Sequence, residues 1–112
     1  MYAKGQGVAQ DYGQARQWYE KAAAVGSAAA MQNLGVLYRD GQGVPQDYEQ
    51  ARQWFEKGAA AGEASAMQNL GVLYRDGQGV PQDYEQARQW YEKAAVHGNE
   101  YAKTRLQELR KR

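Results

Sequence analysis

Apolar residues recur along this chain at helical intervals, and the pattern itself recurs every 36 residues. In the middle copy Ala30, Leu34, Leu37 and Tyr38 fall at i, i+4, i+7 and i+8, which is one face of an α-helix. The helix so predicted runs over 28–40. Gly41-Gln42-Gly43-Val44-Pro45 then interrupts it. Gly41 suits the left-handed position that follows a helix, and Pro45 has no amide with which to continue one. Asp47 reads as the N-cap of a second helix, with Gln50 three residues later forming a capping-box-like pair. Tyr48, Ala51, Trp54, Phe55 and Ala59 make its apolar stripe, and Glu49, Arg52, Gln53, Glu56 and Lys57 its polar side. Arg52 is spaced to pair with Glu49 and with Glu56, at a few tenths of a kcal/mol each. Gly62 ends this helix, and the next first helix starts at about Glu63. No segment carries a strand period.

The recurrence is strict. Ala30 to Trp54 and Ala66 to Trp90 are the same 25 residues, and a degraded copy runs from Gly5 to Ala23. A fixed period of this length marks a solenoid, in which each unit buries its apolar face against its neighbours. Short connections make successive helices antiparallel. The predicted fold is therefore all-α, an α/α solenoid of antiparallel helix pairs with about five main helices. It forms a single repeat domain over 1–112, divided into a partial repeat (1–26), repeats at 27–62 and 63–98, and a C-terminal capping helix (99–112). Gly35 and Gly71 lie inside first helices, at about 1 kcal/mol each relative to Ala, so close approach of another helix is expected there.

The phase of the repeat gives expectations for the ends. Met1 and Tyr2 align with Leu37 and Tyr38, so the first complete helix is a second helix, from about Asp11 to Val25. In the last helix Gly71, Val72 and Tyr74 are replaced by Gln107, Glu108 and Arg110, as a polar cap requires. The start has no such cap, and Ala15, Trp18 and Tyr19 are expected to be partly uncovered. An exposed face of that kind is either a liability or an interface. Head-to-tail self-association through the N-terminal end is one alternative, and a truncated or designed array without a native ligand is another.

Composition narrows the classes. The net charge is +1 with the signs interspersed, so no large field recruits nucleic acid. Lys103, Arg105, Arg110, Lys111 and Arg112 read as a solvated helix end. There are 0 cysteines, which removes disulfides and thiolate metal sites. No apolar run approaches the roughly 18 residues needed to span a bilayer, and no signal-like segment opens the chain. A soluble protein of undetermined compartment is expected, without membrane contact.

Candidate chemistry is sparse. His97 is the single histidine and stands at a helix end, where it reads as a cap-like residue, with no second His or Cys to share a metal. Ser27 and Ser65 each follow a helix terminus and read as caps or turns. Gly41-Gln42-Gly43 and Gly77-Gln78-Gly79 resemble the opening of a phosphate loop, but a dinucleotide loop follows a strand and carries a third glycine. Asp40 with Asp47, and Asp76 with Asp83, fit helix ends and caps better than acid–base pairs. Trp18, Trp54 and Trp90 lie on the apolar stripe and are expected in the core. No cofactor and no catalytic set is indicated. A small-molecule binder or hydrolase is the weakest of the three readings.

The residues that align across copies are Ala30, Leu34-Gly35, Leu37-Tyr38, Gly41-x-Gly43-Val44, Asp47, Ala51, Trp54-Phe55, Lys57, Ala59 and Gly62. This pattern resembles the Sel-one-like repeat family, a subclass of the tetratricopeptide-like α/α repeats. The resemblance implies a right-handed superhelix with the first helices on the concave face, and an adaptor that holds other proteins. One branch of the family staples each helix pair with a disulfide. This chain has no cysteine, so that branch's ligand is not carried over.

The face of the first helices turned from the core then becomes the candidate partner site. It carries Gln32, Asn33, Val36, Arg39 and Asp40 in one copy, and Gln68, Asn69, Val72, Arg75 and Asp76 in the next. Thr104, Glu108 and Lys111 follow in the cap. Arginine and amide side chains suit a peptide backbone or carboxylate, and the valines suit a side chain. The expected function is a non-catalytic scaffold binding a protein or peptide there.

Overall fold

Among the described residues the repeating stripe folds as six helices. A computed structural model describes residues 8–110, with the side chains of 12–109. In chain order the helices are α1 (Val8–Ala24), α2 (Ala28–Asp40), α3 (Tyr48–Ala60), α4 (Ala64–Asp76), α5 (Tyr84–Val96) and α6 (Glu100–Arg110). No strand occurs among the described residues. Each helix packs on the next, and α2 also touches α4. α2 and α4 therefore lie side by side, and Asn99 at the start of α6 bonds to Gln68 of α4 at 3.0 Å. The alignment of Met1 and Tyr2, and the start of the degraded copy at Gly5, lie outside the described residues.

The turn between α2 and α3 closes as its residues dictate. Gly41 takes φ 68°, a left-handed conformation that glycine adopts without penalty, and its amide donates to the Leu37 carbonyl. The Asp47 carboxylate accepts from the Gln50 amide at 3.1 Å. The other half of the expected box is not made, because the Asp47 amide donates instead to the Tyr38 carbonyl at 2.8 Å. Gln46 Nε2 donates to the Arg39 carbonyl at 2.8 Å, so the whole turn is sewn to the end of α2. The same three bonds recur after α4 through Gln86, Asp83 and Gln82.

Two helix starts differ from expectation. α1 begins at Val8 rather than Asp11, because Ala9 stands where the other copies have Pro45 and Pro81. Nothing there prevents the backbone from turning helical early. Ser65 is not a cap either. It lies inside α4, and the cap position belongs to Glu63, which makes no side-chain cap bond. At the matching place Ser27 accepts from Ala30 N at 3.2 Å, and Asn99 accepts from Ala102 N at 2.8 Å. Glu63→Ser is therefore expected to stabilise the chain by about 1 kcal/mol in a denaturant titration. An unchanged midpoint would mean that the α4 amides already have partners.

The core differs from the sequence reading in one respect. Its largest fully buried side chains are Tyr91, Phe55, Leu34, Leu70 and Leu73, and no tryptophan is among them. Trp18 is 69% exposed, and Trp54 and Trp90 are half-buried. The reason is angular. Phe55 follows Trp54 by roughly 100° around the helix, and it is Phe55 that points between α2 and α4. Trp54 is left at the edge of the stripe, with the Lys57 ammonium 4.5 Å from its ring centroid. Lys93 stacks on Trp90 at 4.4 Å and Lys21 on Trp18 at 5.3 Å. The tryptophans are cladding, and the residue after each takes the deeper position.

The glycines inside first helices show what close approach means. A Cβ on Gly71 would stand 2.5 Å from the Tyr91 ring, and one on Gly35 would stand closer still to the Phe55 ring. Each aromatic thus seats on the bare backbone of the preceding first helix. On the second helices Arg52 bonds to Glu49 at 2.6 Å and to Glu56 at 2.9 Å, as their spacing predicts. His97 is the C-cap of α5, with its Nδ1 3.0 Å from the Lys93 carbonyl oxygen.

Candidate functional site

The candidate face is built on α2 and α4, whose cores are fixed by Leu34, Leu37, Leu70 and Leu73. With those residues turned inward, Gln32, Val36 and Arg39 must lie on the other side of α2, and Gln68, Val72 and Arg75 on the other side of α4. All six are half-buried. Val36 and Val72 pack at the edge of the larger core cluster.

The polar members are less free than their spacing suggests. Arg39 holds the Asp40 carboxylate with two nitrogens, at 2.9 and 3.1 Å. Its third nitrogen donates to Asn69 Oδ1 at 3.2 Å, across to the next first helix. Asn69 is 7% exposed and is the one buried polar residue among those described. It is a strut between rungs, not a solvent-facing contact as its position in the pattern suggests. Arg75 chelates Asp76 in the same way, at 2.9 and 3.2 Å. This bond holds the Arg75 guanidinium charged above its ordinary range, against the desolvation that comes with partial burial. Gln68 accepts from Asn99 Nδ2 at 3.0 Å, which ties α4 to the start of α6.

The structure thus brings Arg39, Asp40 and Asn69 together, and separately Arg75 with Asp76. It leaves Gln32 and Asn33 half-buried and without a side-chain hydrogen bond among the described residues. Thr104 and Glu108 are exposed on α6, and Lys111 lies outside the described residues. A neutral face results, since each arginine has its own carboxylate beside it.

Some residues were missed. Tyr101, Arg105 and Asn99 all act at the last rung, where they replace Ser65, Asn69 and Glu63. The signal is a departure from the repeat at these positions, distinct from Gln107, Glu108 and Arg110, which read as a polar cap, while Arg105 by its charge alone reads as part of a solvated helix end. Among the described residues no three His, Cys, Asp or Glu side chains come together to hold a metal, and no helix is long and apolar enough to cross a membrane.

A stack of antiparallel helix pairs with a polar face on its first helices defines an α/α repeat scaffold. The Sel1 repeat pattern matches at residues 1–27, 28–63 and 64–99, and the chain belongs to the Sel1 repeat family. Sel1 repeat proteins are generally non-catalytic protein-interaction scaffolds. Solved structures agree. A protective antigen of uropathogenic Escherichia coli with an SLR fold is 48% identical, with a TM-score of 0.79 over 88% of this chain and 21% of that one. A Sel1 repeat protein from Oxalobacter formigenes is 40% identical, with a TM-score of 0.81 over 92% of this chain and 42% of that one. Cysteine rich protein B of Helicobacter pylori is 30% identical, with a TM-score of 0.74 over 78% of this chain and 65% of that one. The chain thus spans between about a fifth and two thirds of these proteins. No curated protein matches it.

Proposed function

We propose that the chain binds a protein or peptide in extended form along the face of α2 and α4, without catalysis. The observation that carries this reading is the contrast within one rung. Arg39, Asp40 and Asn69 are locked to one another, while the Gln32 and Asn33 amides beside them have no bond among the described residues. The locked groups keep the two helices in register. The amides offer donors and acceptors to a partner's main chain, and Val36 and Val72 offer apolar seats for side chains.

The test is a peptide array probed with the chain and with Gln32→Ala plus Asn33→Ala. The double variant is expected to melt within about 0.5 kcal/mol of the unaltered chain, as surface changes do, yet to lose the bound spots. A matching change on the outer face, Gln53→Ala plus Gln89→Ala, is expected to keep them. Spots that survive the first variant and vanish with the second would move the site to the second helices.

A further inference from the structure

The last rung departs from the one before it, and the departures converge. Arg39 has the Asn69 amide opposite it, and the aromatic seated on Gly35 is Phe55. One repeat later Arg105 stands at the place of Asn69, Tyr101 at the place of Ser65, and the aromatic seated on Gly71 is Tyr91. These changes meet around Arg75. Tyr101 lies near enough to the Arg75 guanidinium to help hold it charged. The Arg105 guanidinium carbon lies 4.8 Å from the Tyr101 ring centroid. The Tyr91 and Tyr101 rings meet edge to face with centroids 6.4 Å apart.

Tyr91 is 0% exposed, and among the described residues its hydroxyl has no hydrogen-bond partner. A buried hydroxyl left that way is costly, and phenylalanine fills the same place in α3 without that cost. The groups that act on Tyr91 electrostatically are Arg75, Tyr101, Asp76 and Arg105. Arg105 Nε is also unpaired, but so are Arg16 and Arg52 Nε, far from any such cluster, so the Tyr91 hydroxyl carries the argument. Each arginine keeps one carboxylate, Asp76 for Arg75 and Glu108 for Arg105 at 2.8 Å. Two guanidiniums and two phenols still offer more donors than these acceptors use.

We infer that the junction of α4, α5 and α6 takes a carboxylate of the bound peptide. Its oxygens accept from Arg75 and Arg105 at the mouth and from the two tyrosine hydroxyls further in. The Arg75 and Arg105 side chains are 25% and 26% exposed and Tyr101 is 38% exposed, so these three groups are partly open to solvent. Tyr101 is the ring that has to turn for the carboxylate to reach Tyr91. The inference rests on the proposed first-helix face, because Arg75 belongs to it.

The test uses the full chain and three immobilised pools of random decapeptides: one with a free C-terminal carboxylate, one amidated, and one amidated with a single internal glutamate. The unaltered chain is expected to hold a carboxylate-bearing pool about tenfold more tightly than the plain amide pool, the effect of one charge-assisted hydrogen bond. Whether the free terminus or the glutamate gives the preference identifies the source. Tyr91→Phe is expected to raise the melting temperature and remove the preference. Arg105→Asn, which restores the interior rung, is expected to remove it too. Equal retention of the three pools, or a preference that survives Tyr91→Phe, overturns the carboxylate site and leaves the first-helix face as the binding surface. Retention of no pool overturns both.

Discussion

Phe55→Ala is expected to lower the free energy of unfolding by about 3–5 kcal/mol, measured by denaturant titration. Phe55 is 0% exposed and belongs to the larger core cluster, where Ala51, Leu70, Leu73 and Tyr91 are equally buried. Its ring bridges successive repeats, so its loss opens a cavity at the joint of the solenoid. Trp54→Ala, one residue away, is expected to cost only about 1–2 kcal/mol. The Trp54 ring is half-buried, and part of what it contributes is the stacked Lys57. If Trp54→Ala proved the costlier change, the core would have been assigned to the wrong ring of the pair.

Gly35→Ala is the second large effect, and its sign is informative. In an exposed helix interior this change gains about 1 kcal/mol. Here the added methyl would collide with the Phe55 ring, which is itself fully buried and cannot withdraw. Overpacking of this kind costs about 1–3 kcal/mol net. The contact can be isolated by a double-mutant cycle. With Phe55 already replaced by Ala, Gly35→Ala is expected to become neutral or stabilising, since the space is then free. Strict additivity of the two changes would mean that Phe55 does not seat on Gly35.

Much of this architecture is legible in the sequence because it rests on local rules. The Ala30, Leu34, Leu37 spacing, the Gly41 stop and the Asp47 cap each act within a turn or two, and α2 and α3 begin and end where those residues put them. The α1 start is less legible, because Ala9 is only the absence of a proline, and an absence is a weak boundary signal. The depth of the tryptophans is hidden from the sequence for a geometric reason. A stripe drawn on one helix includes both Trp54 and Phe55, and only the neighbouring helices decide which of the two points between them. The face of the first helices was legible as a set of positions, but not its bonding. Nothing in the sequence pairs Arg39 with Asn69 across 30 residues, since that contact exists only once α2 and α4 lie side by side. The cluster at Tyr91 hides for the same reason, its members coming from three helices.

Binding on the first-helix face can be located by amide chemical-shift mapping. The isotopically labelled chain is titrated with a peptide selected on the array. Shifts are expected to concentrate at 32–40 and 68–76, with the outer positions Gln53, Lys57, Gln89 and Lys93 unmoved. Shifts centred on those outer positions of α3 and α5, with the amides of Gln32, Asn33 and Val36 unchanged, would contradict it.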